Sequence, residues 1–410
     1  MFQDTPLIMV EDDECLKRVV DHLRPLPVIG VDTEADSFHH YKEKLCLIQI
    51  SDAEKDYIVD PLKIDDLSPI GDLLGNRDQV KVLHGGDYDV VSLKRDYGFY
   101  IRNIFDTMIA GQFLGLDGIG LANLIGRFFG YKIDKKYQRH DWARRPLETE
   151  HLEYARGDTH FLLALREVLN LRLERANRRA AHEEECLILE EREWSGRGGD
   201  GTDFLRVKKS NTLDPAGLKV LRSVWRYRDG QAESMDRPSF KVLPGSVLLQ
   251  LSKRKPTTED ELHQIMRPKA SMTRQHGAAL LQAVIDGLAD EEPLPKPKKT
   301  KRARPKRPRP EAPSIDLLFG LLKQWRNDTV DREGLAPVVV ASNGLLKEIA
   351  THAPLDREAL EAVPGVRRWQ VRAYGDDILG ILQGAEAKQS APKKSKRRRR
   401  KRSSASSDAD

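Results

Sequence analysis

Three short stretches carry carboxylates at spacings suited to joint chemistry. VIGVDTEADSF, residues 28–38, sets Asp32 and Glu34 two apart at the end of an apolar run, so on a strand their side chains share a face. HGGDYDVVSL, 84–93, offers Asp87 and Asp89 where an apolar run gives way to a helical pattern. YARGD, 154–158, lies in a long helical stretch, and its spacing of four puts Tyr154 and Asp158 on one face. Asp32, Glu34, one of Asp87 or Asp89, and Asp158 can therefore converge at one edge of a sheet. Four crowded carboxylates repel or take up protons unless hard cations lie among them. An all-oxygen set without His or Cys suits Mg²⁺ or Mn²⁺ and not zinc. Two such ions about 3.5–4 Å apart serve in-line displacement at phosphorus, and the phenol of Tyr154 is placed to orient the attacking water. Taken singly, each aspartate has an ordinary reading as a cap or turn residue, so the chemistry depends on all of them meeting.

The elements that must position these residues are visible as patterns. PVIGVDT (27–33), LCLIQIS (45–51), DYIVD (56–60) and VKVLH (80–84) are apolar, β-branched runs bounded by polar or Gly/Pro segments, the mark of buried strands. Helical patterns follow in LSPIGDLLG, DVVSLKRDYG, IFDTMIAGQFLG, GLANLIGRFFG and the long stretch ETEHLEYARGDTHFLLALREVLNLRLERA. Strands clustered ahead of helices predict a mixed α/β domain over residues 1–200, and GRGGDGTDF, 196–204, breaks the pattern with glycines. Beyond it lies a repeat without evident strands. LKVLRSVWRYRD (218–229) resembles LLFGLLKQWRND (317–328), with Trp225 and Trp325 in equivalent places. Val247, Leu248, Leu251, Pro256 and Leu262 match Leu345, Leu346, Ile349, Pro354 and Leu360 at a constant offset of 98. Two helical domains are predicted, 212–292 and 314–386, joined by a Pro-rich linker at 293–313 and followed by a tail at 387–410.

Charge is distributed unevenly. Residues 296–309 and 393–402 each carry nine Lys or Arg and no acid; setting those 18 aside leaves 51 basic against 64 acidic residues, a net of −13. The basic segments cannot bury a core and suit sequence-blind attraction to phosphate through counterion release. With 39% hydrophobic and 32% charged residues and no apolar run near the roughly 18 residues of a membrane span, no membrane association is expected. The N-terminus has acidic residues where a secretory signal carries basic ones, which makes the cytoplasm the expected location. Cys15, Cys46 and Cys186 are far apart and suggest neither disulfides nor a zinc site. No GxxxxGK[ST] occurs, so no ATP-driven step is expected.

The three carboxylate segments resemble the exonuclease motifs of the ribonuclease D branch of the DEDD 3'-to-5' exonuclease superfamily. VDTEADS with KLCLIQI is similar to its first motif, HGGDYDVVSLKRDYG with NIFDT to its second, and DWARRPLETEHLEYARGDTHFLL to its third. The helical repeats resemble the HRDC domain shared by RecQ-type helicases and ribonuclease D. This resemblance implies a ribonuclease H-like (DnaQ-like) α/β exonuclease domain followed by two all-α HRDC domains. It makes Asp32, Glu34, Asp89 and Asp158 the ligands of two divalent cations, Mg²⁺ or Mn²⁺. Asp89, sixth from His84, matches the family aspartate, and Asp87 does not. Tyr154 matches the tyrosine of the DEDDy subclass; in the histidine subclass the equivalent residue lies five before the aspartate, where this chain has Glu153.

The expected activity is hydrolytic removal of nucleoside 5'-monophosphates from RNA 3' ends, tRNA precursors among them, with the basic linker and tail on the phosphate backbone. A DNA exonuclease working in repair and a catalytically silent RNA-binding scaffold are the competing readings. His39, His84, Gln138, Trp142 and Arg144 are candidate substrate contacts, and Arg145 a further phosphate contact. For His39, His40 and His84 a hydrogen-bonding role is expected over metal ligation, and for Trp142 anchoring the core is expected over stacking on a base. The chain departs from the family in FHHYKEK, 38–44, and at His140 before Asp141. Both flank the expected 3'-end pocket, which makes them candidates for setting nucleotide preference.

Overall fold

The computed structural model describes residues 5–134, 136–194, 196, 201–266, 270–295 and 313–390. It divides into two compact units, the division falling within the basic linker. Most of that linker, 296–312, and the tail from 391 lie outside the described residues.

The first unit begins with a six-stranded sheet built from β1 (Leu7–Val10), β2 (Val28–Ala35), β3 (Leu45–Ser51), β4 (Asp56–Val59), β5 (Val80–Leu83) and β6 (Ile104–Asp106). Its order is β1-β4-β3-β2-β5-β6. β2–β3 and β3–β4 pair antiparallel, whereas β1–β4, β2–β5 and β5–β6 pair parallel, so the sheet is mixed. The four apolar runs form its middle, and β3 is buried along its whole length. Around the sheet lie α1 (Asp13–Leu23), α2 (Ser68–Gly75), α3 (Asp87–Tyr97), α4 (Thr107–Phe113), α5 (Leu121–Phe129), α6 (Thr149–His160), α7 (Leu162–Arg175) and α8 (Arg179–Glu190).

Two details differ from the sequence expectation. Residues 104–106, expected to open a helix, form edge strand β6, and Asp106 then caps α4 by accepting from the amides of Met108 (2.8 Å) and Ile109 (2.9 Å). The long helical stretch after 149 breaks at Phe161 into α6 and α7.

Strand alternation gives the sheet two dissimilar faces. Val31, Ile48, Ile50, Tyr57 and Val59 face a core completed by Leu16, Val20 and Leu23 of α1, Ile70 and Leu74 of α2, and Val90 and Leu93 of α3. Leu47 and Ile58 face the other way, toward Trp142 and Ala155 of α6. Gly30 allows α6 and α7 to settle closely on this second face. A Cβ there would lie 3.1 Å from the Thr159 carbonyl and 3.3 Å from the Leu162 side chain.

The helical repeat follows the same plan twice. α9 (Pro215–Ser234), α10 (Ser239–Val242), α11 (Gly245–Arg254), α12 (Glu259–Met266) and α13 (Ala270–Ala289) complete the first unit. In the second unit, α14 (Ile315–Glu333), α15 (Pro337–Val340), α16 (Asn343–His352), α17 (Arg357–Glu361) and α18 (Arg368–Ser390) repeat the order. Leu248, Leu251 and Leu262 are buried in one copy, as are Leu346, Ile349 and Leu360 in the other. Two edges lie beyond the expected domain limits. Pro293, placed in the linker by sequence, accepts from the buried Arg222 through its carbonyl (3.1 Å), and α18 continues past 386 to Ser390. No described helix is long and apolar enough to cross a membrane.

Candidate active site

The topology brings the carboxylate-bearing segments to one rim. β2 and β5 are parallel neighbours, so Asp32 and Glu34 near the end of β2 lie beside the turn that leads from β5 into α3. Asp32 and Glu34 share the face on which α6 packs, and α6 carries Asp158 and Tyr154. Asp32, Glu34 and Asp158 accordingly offer carboxylate oxygens that all lie within 4.8 Å of one another. Asp89 enters from α3, on the other face, and accepts from the Thr33 hydroxyl at 2.6 Å through Oδ1. Asp87, its neighbour in the same first turn, is exposed and pairs with Arg192 at 2.6 Å. The two aspartates that the sequence offered here thus have separate roles.

The electrostatics follow from burial and like charge. Burial, then the charges of Asp89, Asp158 and Glu34, hold the Asp32 carboxyl well above its ordinary range. Glu34 is raised by burial and by Asp158 and Asp89. Asp158 is pushed up to about 7 by burial and Asp89. Asp89 is pushed up to about 6 by burial, against which the Thr33 hydrogen bond acts. Burial, followed by Asp158, Glu34 and Asp32, keeps the Tyr154 phenol protonated at neutral pH. Its ring lies 5.9 Å from Trp142 and 6.0 Å from Tyr137 between centroids. It lines a cavity of about 360 Å³ with Tyr131, Lys132, Lys136 and Glu153 among others.

The donor set fits hard divalent cations: oxygens only, close enough to share an ion, and costly to leave charged without one. Gln49, directly opposite Asp32 in the β2–β3 register, adds a second sign. It is fully buried, and neither its amide nitrogen nor its oxygen has a protein partner among the described residues. A buried orphan amide is costly unless the site supplies it with a polar partner, as a hydrated cation does.

The remaining candidates separate into rim and interior. Gln138 and Arg144 are exposed. His39 bonds through Nε2 to the Arg139 carbonyl at 2.9 Å, with Nδ1 3.9 Å from Asp141. His84 bonds through Nδ1 to the Thr107 hydroxyl at 2.9 Å, and burial pushes its ring down to about 4, which keeps it neutral. Trp142 takes the core-anchoring role over base stacking, and the phosphate contact expected of Arg145 requires correction. Trp142 is only 1% exposed, so it offers no face to a base and serves as the floor behind Tyr154. Arg145 is fully engaged, bidentate to buried Asp60 (2.6 and 2.7 Å) and bonded to the Trp142 and Cys46 carbonyls (2.6 and 3.1 Å), and makes no free phosphate contact.

FHHYKEK meets the Arg139–Asp141 segment through His39 and His40 and has a second engagement besides. It forms the joint to the first helical domain. His40 Nδ1 meets Asp236 at 2.7 Å, the Tyr41 hydroxyl donates to Asp229 at 2.8 Å, and Phe38 meets Phe240 edge-on at 6.1 Å. Composition gave no hint of this, because the partners lie almost 200 residues away. Sequence reasoning also missed the network that seats α6. Buried Arg156 donates to Asp56 Oδ2 through Nε (3.0 Å), His160 meets the same oxygen (2.9 Å), and Ser51 donates to Asp56 Oδ1 (2.7 Å).

Comparison with known proteins places this geometry. A family model described as 3'-5' exonuclease matches residues 7–174, and the HRDC domain model matches 217–284 and 317–382. Ribonuclease D of Desulfotalea psychrophila is 30% identical over 287 residues, 69% of this chain and 76% of that protein. The Exosome complex component 10 homolog of Drosophila melanogaster is 31% identical over 304 residues, 72% of this chain but 34% of the relative, so this chain spans about a third of its length. The crystal structure of the catalytic core of RRP6 from Trypanosoma brucei matches with 31% identity and a TM-score of 0.58, covering 71% of this chain and 82% of that one. With an exonuclease domain followed by two HRDC domains, the chain belongs to the ribonuclease D family.

Proposed function

We propose that the protein is a divalent-cation-dependent 3'-to-5' exoribonuclease that hydrolyses RNA from its 3' end and releases nucleoside 5'-monophosphates. Structured RNAs such as tRNA precursors are the proposed substrates. The observation that carries this reading is the meeting of Asp32, Glu34 and Asp158 within 4.8 Å, with Asp89 at the same rim and Tyr154 one turn from Asp158. RNA is favoured over DNA because the relative that this chain covers to three quarters of its length is named Ribonuclease D.

In this reading Asp32, Glu34, Asp89 and Asp158 hold two cations, Mg²⁺ or Mn²⁺. Bound there, such ions would supply charge stabilisation to both the attacking and the departing oxygen of an in-line displacement. The protein's own contribution is placement. Tyr154 keeps its proton, so its hydroxyl can hold and aim a water toward the terminal phosphorus, while Trp142 and Tyr137 limit the ring's freedom. Gln138, Arg144 and His39 are proposed rim contacts to the RNA, and His84 supports the turn from β5. The basic linker and tail would hold RNA that an otherwise acidic body repels. The three cysteines are free, and burial raises the thiols of Cys46 and Cys186, which suits a reducing compartment such as the cytoplasm.

The direct test is incubation of the purified protein with 5'-labelled RNA. A one-nucleotide ladder with Mg²⁺ that EDTA abolishes supports the activity; no shortening, or endonucleolytic fragments, rejects it. Competition between labelled RNA and DNA 3' ends decides substrate class. Tyr154→Phe is expected to lower turnover roughly 10²-fold with little change in KM. Removal of residues 391–410, which spares α18, should weaken RNA binding and flatten its salt dependence while leaving turnover at saturating RNA nearly unchanged.

A further inference from the structure

Asp89 differs from the other three carboxylates in how it reaches the site. Asp32, Glu34 and Asp158 meet on the α6 face of the sheet, whereas Asp89 comes from α3, whose Val90 and Leu93 pack on the opposite face with Val31 and Ile50. It lies outside the group whose oxygens are mutually within 4.8 Å. An acidic side chain entering from the far side, toward three others, would swing away from them unless a donor held it.

That donor is present and comes from the strand that carries the opening pair. Thr33 lies between Asp32 and Glu34, so alternation turns its side chain to the α3 face. Its hydroxyl donates to Asp89 Oδ1 at 2.6 Å; Thr33 is 8% exposed and Asp89 6%, so water cannot readily substitute. Threonine is stiff at χ1 because it is β-branched. Its backbone is fixed by β3 on one side, while β5 pairs with the first part of the same strand on the other. The bond therefore ties a helix-borne carboxylate to a rigid strand.

Resting on the reading that Asp89 is a cation ligand, we infer that Thr33 is a positioning residue: its hydroxyl fixes the Asp89 carboxylate in the orientation from which it binds the divalent ion. Hydrogen-bond partners of metal ligands contribute about 10–100-fold to affinity. Thr33→Val removes the hydroxyl and keeps the shape, whereas Thr33→Ser keeps the hydroxyl.

The test is calorimetric titration of MgCl₂ into metal-stripped full-length protein without RNA, with the metal-free melting temperature as the check on folding. Thr33→Val is expected to bind Mg²⁺ about 10-fold or more weakly, and Thr33→Ser to stay within about threefold of wild type. Wild-type affinity in Thr33→Val overturns the inference. So does equal weakening in Thr33→Ser, which would trace the effect to packing. If Thr33→Val does not fold, Thr33→Ala read against Thr33→Ser gives the same comparison. A wild-type protein that takes up no Mg²⁺, or an Asp89→Asn protein that takes it up as wild type does, would instead remove Asp89 as a ligand, and this inference with it.

Discussion

Asp158→Asn is expected to lower exonuclease turnover by at least about 10³-fold while raising the melting temperature of the metal-free protein. The first effect follows if the residue helps hold a cation, since such ions supply several kcal/mol of transition-state stabilisation and each 1.36 kcal/mol is tenfold in rate. The second follows from the like charges gathered at the rim. Asp158 is pushed up to about 7 from an ordinary 3.8, so the folded metal-free protein binds its proton more tightly than the unfolded chain does. Stability from this group is full below the unfolded value and is lost as pH rises through the folded one. Between pH 4 and 7 the wild-type protein should therefore lose stability relative to Asp158→Asn, and the gap should be widest above pH 7. Thermal melts of both proteins at pH 5 and pH 8 in EDTA test this. We expect a gap of roughly 2–4 °C or more at pH 8, narrower at pH 5, and MgCl₂ should raise the wild-type value at pH 8. A variant as active as wild type, or one that melts lower at pH 8, would refute the assignment.

Arg156→Ala is expected to destabilise the exonuclease domain by about 3–5 kcal/mol, the usual result of stripping one partner from a buried ion pair. Arg156 is 2% and Asp56 1% exposed, and Arg156 also donates to the Thr5 carbonyl at 2.9 Å. Without the guanidinium, the Asp56 charge would be left with Ser51 and His160, and α6 would lose its main polar tie to β4. Because Arg156 lies between Tyr154 and Asp158, residual activity should fall together with stability. Lysine restores the charge but not the forked geometry, so Arg156→Lys should recover only part of the loss. Urea unfolding followed by far-UV circular dichroism measures the shift in midpoint. A change below about 1 kcal/mol would show that the network is not a stability determinant.

The central strands were legible because they are β-branched apolar runs that the fold covers on both faces. β1 and β6 were not, for reasons of length and context: LIMV is four residues ahead of an acidic helix start, and IFD runs directly into helical periodicity. The break at Phe161 was hidden because HFLLAL keeps an apolar pattern across it. At the site, spacing alone offered Asp87 and Asp89 equally, and only the family resemblance chose between them. In the structure they part: Asp87 is exposed beside Arg192, more than 100 residues away, while Asp89 turns inward to the Thr33 hydroxyl. Arg145 illustrates the same limit, since an arginine near a nucleic-acid site looks alike in sequence whether it faces the solvent or an interior carboxylate.

The joint built on FHHYKEK makes the two helical copies non-interchangeable. Aligning Trp225 with Trp325 sets Asp229, the partner of Tyr41, against Thr329, while α10 and α15, offset by 98, set Asp236, the partner of His40, against Gly334. A transplanted second copy would bring the same interior to the exonuclease domain and leave those two donors facing a buried hydroxyl and a residue without a side chain. The duplication therefore preserved a scaffold and not an attachment point: the acidic residues that meet Tyr41 and His40 have no acidic counterpart at the equivalent positions of the second copy.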